Sequence, residues 1–240
     1  YGIQLSTNSI KLLNTIGFNA LESKDRFNPE KIDFYEIKHE KKICDLNISE
    51  FNSENIKSLK ISWEYQSKDF GQMQMNLIVI DSLLYGVSAA LRAFALDART
   101  GEEVWVFGDS LKTWFSTSRG VTYWESGENK RIFYTIGSDL WALNALTGKP
   151  VHSFGANGKI DLRSGLPATS KEKFVISTTP GTIFKDLIVM PLRLSEGAGA
   201  APGDVMAFDV KTGKLVWSFH TIPHQGEAGD DTWGLSLIHI

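Results

Sequence analysis

From Lys60 onward, apolar and polar residues alternate mostly with a period of two, and helical spacing is nearly absent. Residues 77–80 and 83–85 flank Asp81-Ser82, which is the pattern of a hairpin. The same alternation predicts strands over 120–124 and 131–135, then over 178–184, 187–192, 205–208 and 215–219. Residues 60–65 read as a half-buried strand, and 52–59 as a short helical turn capped by Asn52 or Ser53. Upstream the signal fades. Ile10, Leu13, Ile16 and Leu21 are loosely helical in spacing, and a charged stretch follows at 38–42. The pattern therefore divides the chain into an extension of unclear structure (1–44) and a strand-rich body (45–233), followed by a short tail (234–240).

One line recurs within the body: Ala95-Leu-Asp-Ala-Arg-Thr-Gly101-Glu-Glu-Val-Trp105, Ala142-Leu-Asn-Ala-Leu-Thr-Gly148-Lys-Pro-Val-His152 and Ala207-Phe-Asp-Val-Lys-Thr-Gly213-Lys-Leu-Val-Trp217. Asp or Asn opens a turn through its side-chain oxygen, Gly supplies a positive φ, and a second strand returns antiparallel. One such hairpin cannot bury both its faces, so copies must stack. The spacing of the copies is that of a four-stranded propeller blade plus a variable loop. The expectation is an all-β chain, about three blades of a β-propeller. Ala95, Ala142 and Ala207 should be equivalent, with Trp105, His152 and Trp217 on outer strands, the two tryptophans packing between blades. Long polar, glycine-bearing loops are expected at 108–119, 155–177 and 193–204, and loops of that length are more often functional than not.

Composition narrows the classes. With 42% hydrophobic and 22% charged residues and no long apolar run, the body reads as globular. A net charge of −3 supports neither a nucleic-acid surface nor a basic membrane stripe. Cys44 is the single cysteine, which excludes an internal disulfide and a cysteine metal cluster. Three blades do not close a ring, so the chain reads as a piece of a larger propeller.

Several stretches carry a resemblance. Arg119-Gly-Val-Thr-Tyr-Trp124, Phe154-Gly-Ala-Asn-Gly-Lys-Ile-Asp-Leu162, Thr178-Thr-Pro-Gly181, Phe184-Lys-Asp-Leu-Ile-Val189 and His220-Thr-Ile-Pro-His224 resemble the eight-bladed quinoprotein dehydrogenases that use pyrroloquinoline quinone (PQQ). Because Cys44 is alone, the likeness is to the glucose-oxidising branch, which lacks a vicinal disulfide. The resemblance implies oxidation of a small alcohol or sugar hydroxyl, PQQ and calcium as cofactors, and a membrane quinone or cytochrome as electron acceptor. It also implies a periplasmic setting, with membrane association left open. The alternative is a non-enzymatic propeller scaffold of the outer-membrane assembly type, which shares the repeat.

Carried over by position, Arg119 matches an arginine that pairs with a PQQ carboxylate, and Thr178 a hydroxyl donor to PQQ. Gln74, in Gln72-Met-Gln-Met75, matches a further PQQ contact. Glu196, in Leu194-Ser-Glu-Gly197, matches a calcium-ligating carboxylate. A forked guanidinium suits a planar carboxylate and calcium prefers oxygen ligands. In isolation the same residues read as a solvated loop arginine, a turn cap and an exposed loop acid. The resemblance requires Arg119, Thr178 and Glu196 to converge at one mouth. It stops after Trp233 and places the carboxylate base beyond the chain's last residue, so no catalytic residue is assigned. His220 and His224, with Glu227, Asp230 and Asp231 nearby, have metal-ligand spacing for a helix, but Pro223 and Gly226 exclude a regular helix. That stretch is read as a loop.

Overall fold

The computed structural model describes residues 61–109 and 117–233, together with the backbone of two further strands. Those strands, β1 (Lys31–Glu36) and β2 (Lys41–Asn47), pair antiparallel in the first of two compact units, Tyr1–Ile61 and Ser62–Ile240. The helical readings at 10–21 and 52–59 and the tail 234–240 lie outside the described residues.

Turn chemistry sets where the strands of the second unit end. Asp97 Oδ1 accepts from the N–H groups of Arg99 and Thr100 (2.8 and 3.2 Å), Asn144 Oδ1 from Leu146 and Thr147 (3.0 and 3.0 Å), and Asp209 Oδ1 from Lys211 and Thr212 (3.0 and 2.7 Å). In each copy the Gly N–H then closes on the Asp or Asn carbonyl at 2.8 Å, with φ near +70°. The three repeat lines therefore make one turn three times over.

Each turn sits in a four-stranded antiparallel sheet. The first is β3 (Ile78–Ile80), β4 (Leu83–Val87), β5 (Ala93–Asp97) and β6 (Glu103–Phe107) in that spatial order. The second is β7 (Thr122–Ser126), β8 (Asn129–Ile136), β9 (Asp139–Asn144) and β10 (Lys159–Asp161). After β11 (Val175–Ile176) come β12 (Thr182–Phe184), β13 (Leu187–Met190), β14 (Arg193–Leu194), β15 (Val205–Asp209) and β16 (Leu215–Phe219). The third sheet is β12-β13-β15-β16, while β11 and β14 form a separate ladder. Ala95, Ala142 and Ala207 occupy the third strand of their sheets, and all three are fully buried. These are three blades of a β-propeller.

The period of two becomes two buried faces. On β8, Ile132 and Tyr134 join the core shared with the first blade, while Phe133 between them joins the core shared with the third. On β5, Ala93 and Ala95 face the second blade, and Phe94 and Leu96 face outward under Trp63 and Tyr65. Phe133 meets Phe154 edge to face at 5.5 Å, a pairing worth about 0.5–1.5 kcal/mol beyond its buried area.

Four expectations need correction. Residues 61–67 alternate in burial as a strand does but join no ladder; Trp63 and Tyr65 are held by side-chain packing on the first blade. His152 is exposed in a turn, not on an outer strand. Pro150 makes an isolated bridge to Leu143, closed by the Asn144 N–H on the Lys149 carbonyl and the Val151 N–H on the Ala142 carbonyl; beyond it the Ala142 N–H donates to the Gly158 carbonyl instead, and the chain turns away until β10. Trp217 is on β16 as expected but is 40% exposed, with Phe184, Leu215, Val216 and Phe219 also exposed. The stretch 155–177 is not an open loop. It carries β10, 3-10 turns at Leu162–Gly165 and Ala168–Ser170, and β11.

Tryptophan joins the first blade to the second. The Trp105 ring covers Gly148, where an added Cβ would lie 2.6 Å from the indole, and its Nε1–H donates to the Ala145 carbonyl at 2.9 Å. Trp63 repeats this on Gly101, donating to the Ala98 carbonyl at 3.2 Å. At the third turn the equivalent carbonyl, Val210, accepts instead from the buried Arg131 guanidinium at 2.7 Å. Arg131 also donates to the Lys211 carbonyl (2.9 Å) and Asn129 (3.0 Å), and lies over the Trp124 ring. Burial lowers its pKa from the ordinary arginine value, with Asp209 acting in the opposite direction.

Candidate functional site

The first strands of the three blades are led in by segments that are hydrogen-bonded to one another. The Asn76 N–H donates to the Arg119 carbonyl (3.0 Å), and the Arg119 N–H donates to the Thr178 carbonyl (2.8 Å). Asn76 and Gly120 form a parallel bridge. Glycine is required there. A Cβ on Gly120 would sit 2.5 Å from the Asn76 carbonyl oxygen, and its φ of +124° is closed to most side chains. The Arg-Gly pair is thus one backbone device that brings Asn76 alongside and turns Arg119 toward Thr178.

Residues 177–181 are fixed from behind. Thr135 on β8 donates its hydroxyl to the Ser177 carbonyl at 2.6 Å, and the Thr122 hydroxyl on β7 lies 3.0 and 2.9 Å from the Pro180 and Gly181 carbonyls. The Ser177 hydroxyl donates to the Thr179 carbonyl at 3.1 Å. Two threonines of the second blade thus position a segment of the third.

Between these segments lies a cleft of about 400 Å³ lined by Arg119, Ser177, Thr178, Thr179, Pro191, Leu192 and Arg193. Among the described residues the Arg119 guanidinium makes no hydrogen bond or ion pair, so its donors are available to a ligand. The Arg119 guanidinium beside hydroxyl groups and the apolar edge of Leu192 suits a flat anion better than a neutral or cationic guest.

The structure therefore brings Arg119 and Thr178 to one cleft. Gln74 is exposed two residues before Asn76, which bonds Arg119, and accepts from the Thr117 hydroxyl at 3.2 Å, but it is not part of the cleft's lining. Glu196 is exposed in the bend that follows β14 and does not line the cleft either. Arg193, Ser177 and Thr179 line it without having been singled out from sequence. Arg193 had a local signal, standing beside the Leu194-Ser-Glu motif. Ser177 and Thr179 had only their adjacency to Thr178.

A three-bladed run of four-stranded sheets, with a hydroxyl-lined cleft bearing Arg119 between the second and third blades, defines a propeller segment with a candidate ligand site. A family model described as "PQQ: Glucose/ethanol/alcohol dehydrogenase, beta-propeller domain" matches residues 46–236. The chain belongs to this family. It is 30% identical over 198 residues to a quinoprotein glucose dehydrogenase of Escherichia coli, a match spanning 72% of this chain and 25% of that protein. It is 28% identical to the dehydrogenase subunit of a quinone alcohol dehydrogenase of Gluconobacter oxydans, over 78% of this chain and 26% of the relative. The fold matches a crystal structure of the quinohemoprotein alcohol dehydrogenase from Comamonas testosteroni with a TM-score of 0.57 at 22% identity, over 72% of this chain and 25% of that one. The matches span about a quarter of the length of these relatives.

Proposed function

We propose that this chain forms part of the cofactor site of a PQQ-dependent dehydrogenase that oxidises an alcohol or sugar hydroxyl. The observation that carries the reading is the backbone bond from Arg119 to Thr178, which places a free guanidinium and a hydroxyl on one cleft of about 400 Å³. PQQ is a planar tricarboxylate that accepts a hydride equivalent when bound, and the cleft's donor set fits its anionic edge. Arg119 would hold a carboxylate through its fork and Thr178 would donate from its hydroxyl, while Gln74 would add a contact at the open side. Glu196 would serve as one calcium ligand, supplied from the loop between β14 and β15. Calcium there would act as a Lewis acid on the cofactor's carbonyl. Electrons would leave to a membrane quinone or cytochrome, in the periplasm.

What these residues do for the cofactor is orient it. Arg119 and Thr178 are fixed by main-chain bonds to neighbouring blades, so the ligand meets donors already in place. The test is a PQQ titration of the full-length protein followed by cofactor absorbance. Arg119→Ala and Thr178→Ala should each raise the half-saturating PQQ concentration, Arg119→Ala by about 10–100-fold, as expected for a hydrogen bond to a charged group. Arg119→Lys should recover only part of the loss, because an ammonium cannot bind bidentately. Saturation at the wild-type concentration in both alanine variants, with unfolding unchanged, would sink the reading.

A further inference from the structure

The stretch after β16, read from sequence as a plain loop, brings together side chains that no helix holds. His220 and His224 stack with ring centroids 3.7 Å apart. The His220 Nδ1 lies 2.8 Å from Glu227 Oε1, and the His224 backbone N–H donates to Glu227 Oε2 at 2.8 Å. One ligand atom from each of His220, His224 and Glu227 lies within 4.8 Å of the other two. On its far side His220 turns Nε2 toward Asp204, a carboxylate only 3% exposed, at 3.9 Å. A cleft of about 410 Å³ opens beside the group, lined by Phe219, His220, Thr221, Pro223 and Glu227 among others.

We propose that His220, His224 and Glu227 bind a divalent transition-metal ion of the zinc class, with Asp204 orienting His220 and one coordination position open to the cleft. Two imidazoles and one carboxylate suit zinc and its neighbours and disfavour calcium, which takes oxygen alone. Tetrahedral ligands about 2.0–2.2 Å from zinc stand about 3.3 Å apart, so the His220 ring and the carboxylate part slightly from 2.8 Å, and the exposed His224 ring turns out of its stack on His220 to aim an in-plane nitrogen at the ion. The supporting contacts are those of a built site. An outer-sphere carboxylate beside the distal nitrogen helps to orient a ligating histidine, and the buried Asp204 stands on that side of His220 at 3.9 Å, an electrostatic distance longer than a direct hydrogen bond. The second oxygen of Glu227 is held by the His224 N–H, which leaves Oε1 for the metal. Thr221 donates its hydroxyl to the Gly203 carbonyl at 3.2 Å, tying this loop to the strand end that carries Asp204. Three protein ligands with an open fourth position are the arrangement in which zinc binds water or an anion, as distinct from a closed structural site.

The test uses the full chain without a histidine tag, stripped with chelator and titrated separately with Zn²⁺ and Co²⁺. One Zn²⁺ per chain should bind by equilibrium dialysis, and Co²⁺ should give a visible absorption band that Zn²⁺ bleaches. His220→Ala and His224→Ala should each abolish the Co²⁺ band. Asp204→Asn should keep the band and weaken binding about 10–100-fold, as loss of an outer-shell carboxylate does. His152→Ala, at an exposed histidine outside the group, should change nothing. His224 and Glu227 are exposed, so substitutions there leave the core intact, and an unchanged unfolding midpoint verifies this. Absence of saturable binding, a band that survives both histidine substitutions, or a loss on His152→Ala would each overturn the proposal. None of these readouts depends on PQQ or turnover.

Discussion

At successive joints between blades, Trp105 and Arg131 perform one task with unlike chemistry. Each serves the carbonyl three residues before the turn glycine, Ala145 in one case and Val210 in the other, at 2.9 and 2.7 Å. The indole also covers its glycine with an apolar plane. At the other joint Gly213 is covered by Phe154 and Ile160, and the guanidinium supplies only the polar half of the function. The difference begins with Pro150. Where the repeat would put a third aromatic ring on an outer strand, the ladder ends just past Pro150, the Ala142 N–H bonds the Gly158 carbonyl and His152 turns into solvent, so the donor must come from elsewhere. A repeated motif fixes which groups need satisfying, and leaves open which side chain satisfies them.

The comparison can be broken most severely at the tryptophan joint. Trp105→Ala should destabilise the chain by about 3–5 kcal/mol, since it removes a large buried ring and leaves the Ala145 carbonyl unpaired. Denaturant unfolding measures this, and a cost near 1 kcal/mol would mean the joint is held elsewhere. Arg131→Met should cost less, about 2–3 kcal/mol. The apolar stem is kept, but the carbonyls of Val210 and Lys211 lose a charged donor. A neutral or stabilising result would show that burying the charge outweighs its bonds.

The smallest effect lies in the turns themselves, where the second copy has Asn144 in place of Asp97 and Asp209. Burial alone would raise the Asp209 carboxyl, but the Thr212 hydroxyl and the Thr212 and Lys211 N–H groups outweigh it and hold its pKa below the ordinary 3.8. A carboxyl depressed on folding stabilises the protein above its unfolded pKa, and that contribution is lost as pH falls through the lower folded value. Unfolding midpoints should therefore drop below about pH 4. Asp209→Asn should flatten part of that fall while changing little at neutral pH. Equal acid sensitivity in wild type and variant would remove Asp209 from the account.

These outcomes separate what is local from what is not. The three turns were legible because Asp or Asn, Thr and Gly make all their bonds within five residues. The blades followed from alternation, since a period of two tells a sheet which side chains to bury. Trp63 was legible as an apolar strand residue but not as a member of the tryptophan series, because its partner Gly101 lies far along the chain. Arg131 gave no signal, because the Val210 and Lys211 carbonyls that it serves lie on the next blade, far along the chain. The cleft was half legible. Arg119 and Thr178 came from motif resemblance, but their main-chain bond and the presence of Arg193 depend on how blades two and three meet. The histidine group was not legible because i, i+4 ligand spacing implies a helix that Pro223 and Gly226 forbid, whereas a turn closed by Glu227 on the His224 N–H brings the same residues together.

The bonds from Asn76 to Arg119 to Thr178 also separate charge from shape. Arg119 takes part through its backbone, so its side chain is exchangeable without cutting the link, whereas Gly120 carries no charge yet cannot accept a Cβ without pushing Asn76 away. An engineer retuning this cleft therefore has two independent controls. Substitution at 119 alters what the cleft attracts, and substitution at 120 alters the spacing of the first and second blades behind the wall that Arg119 supplies.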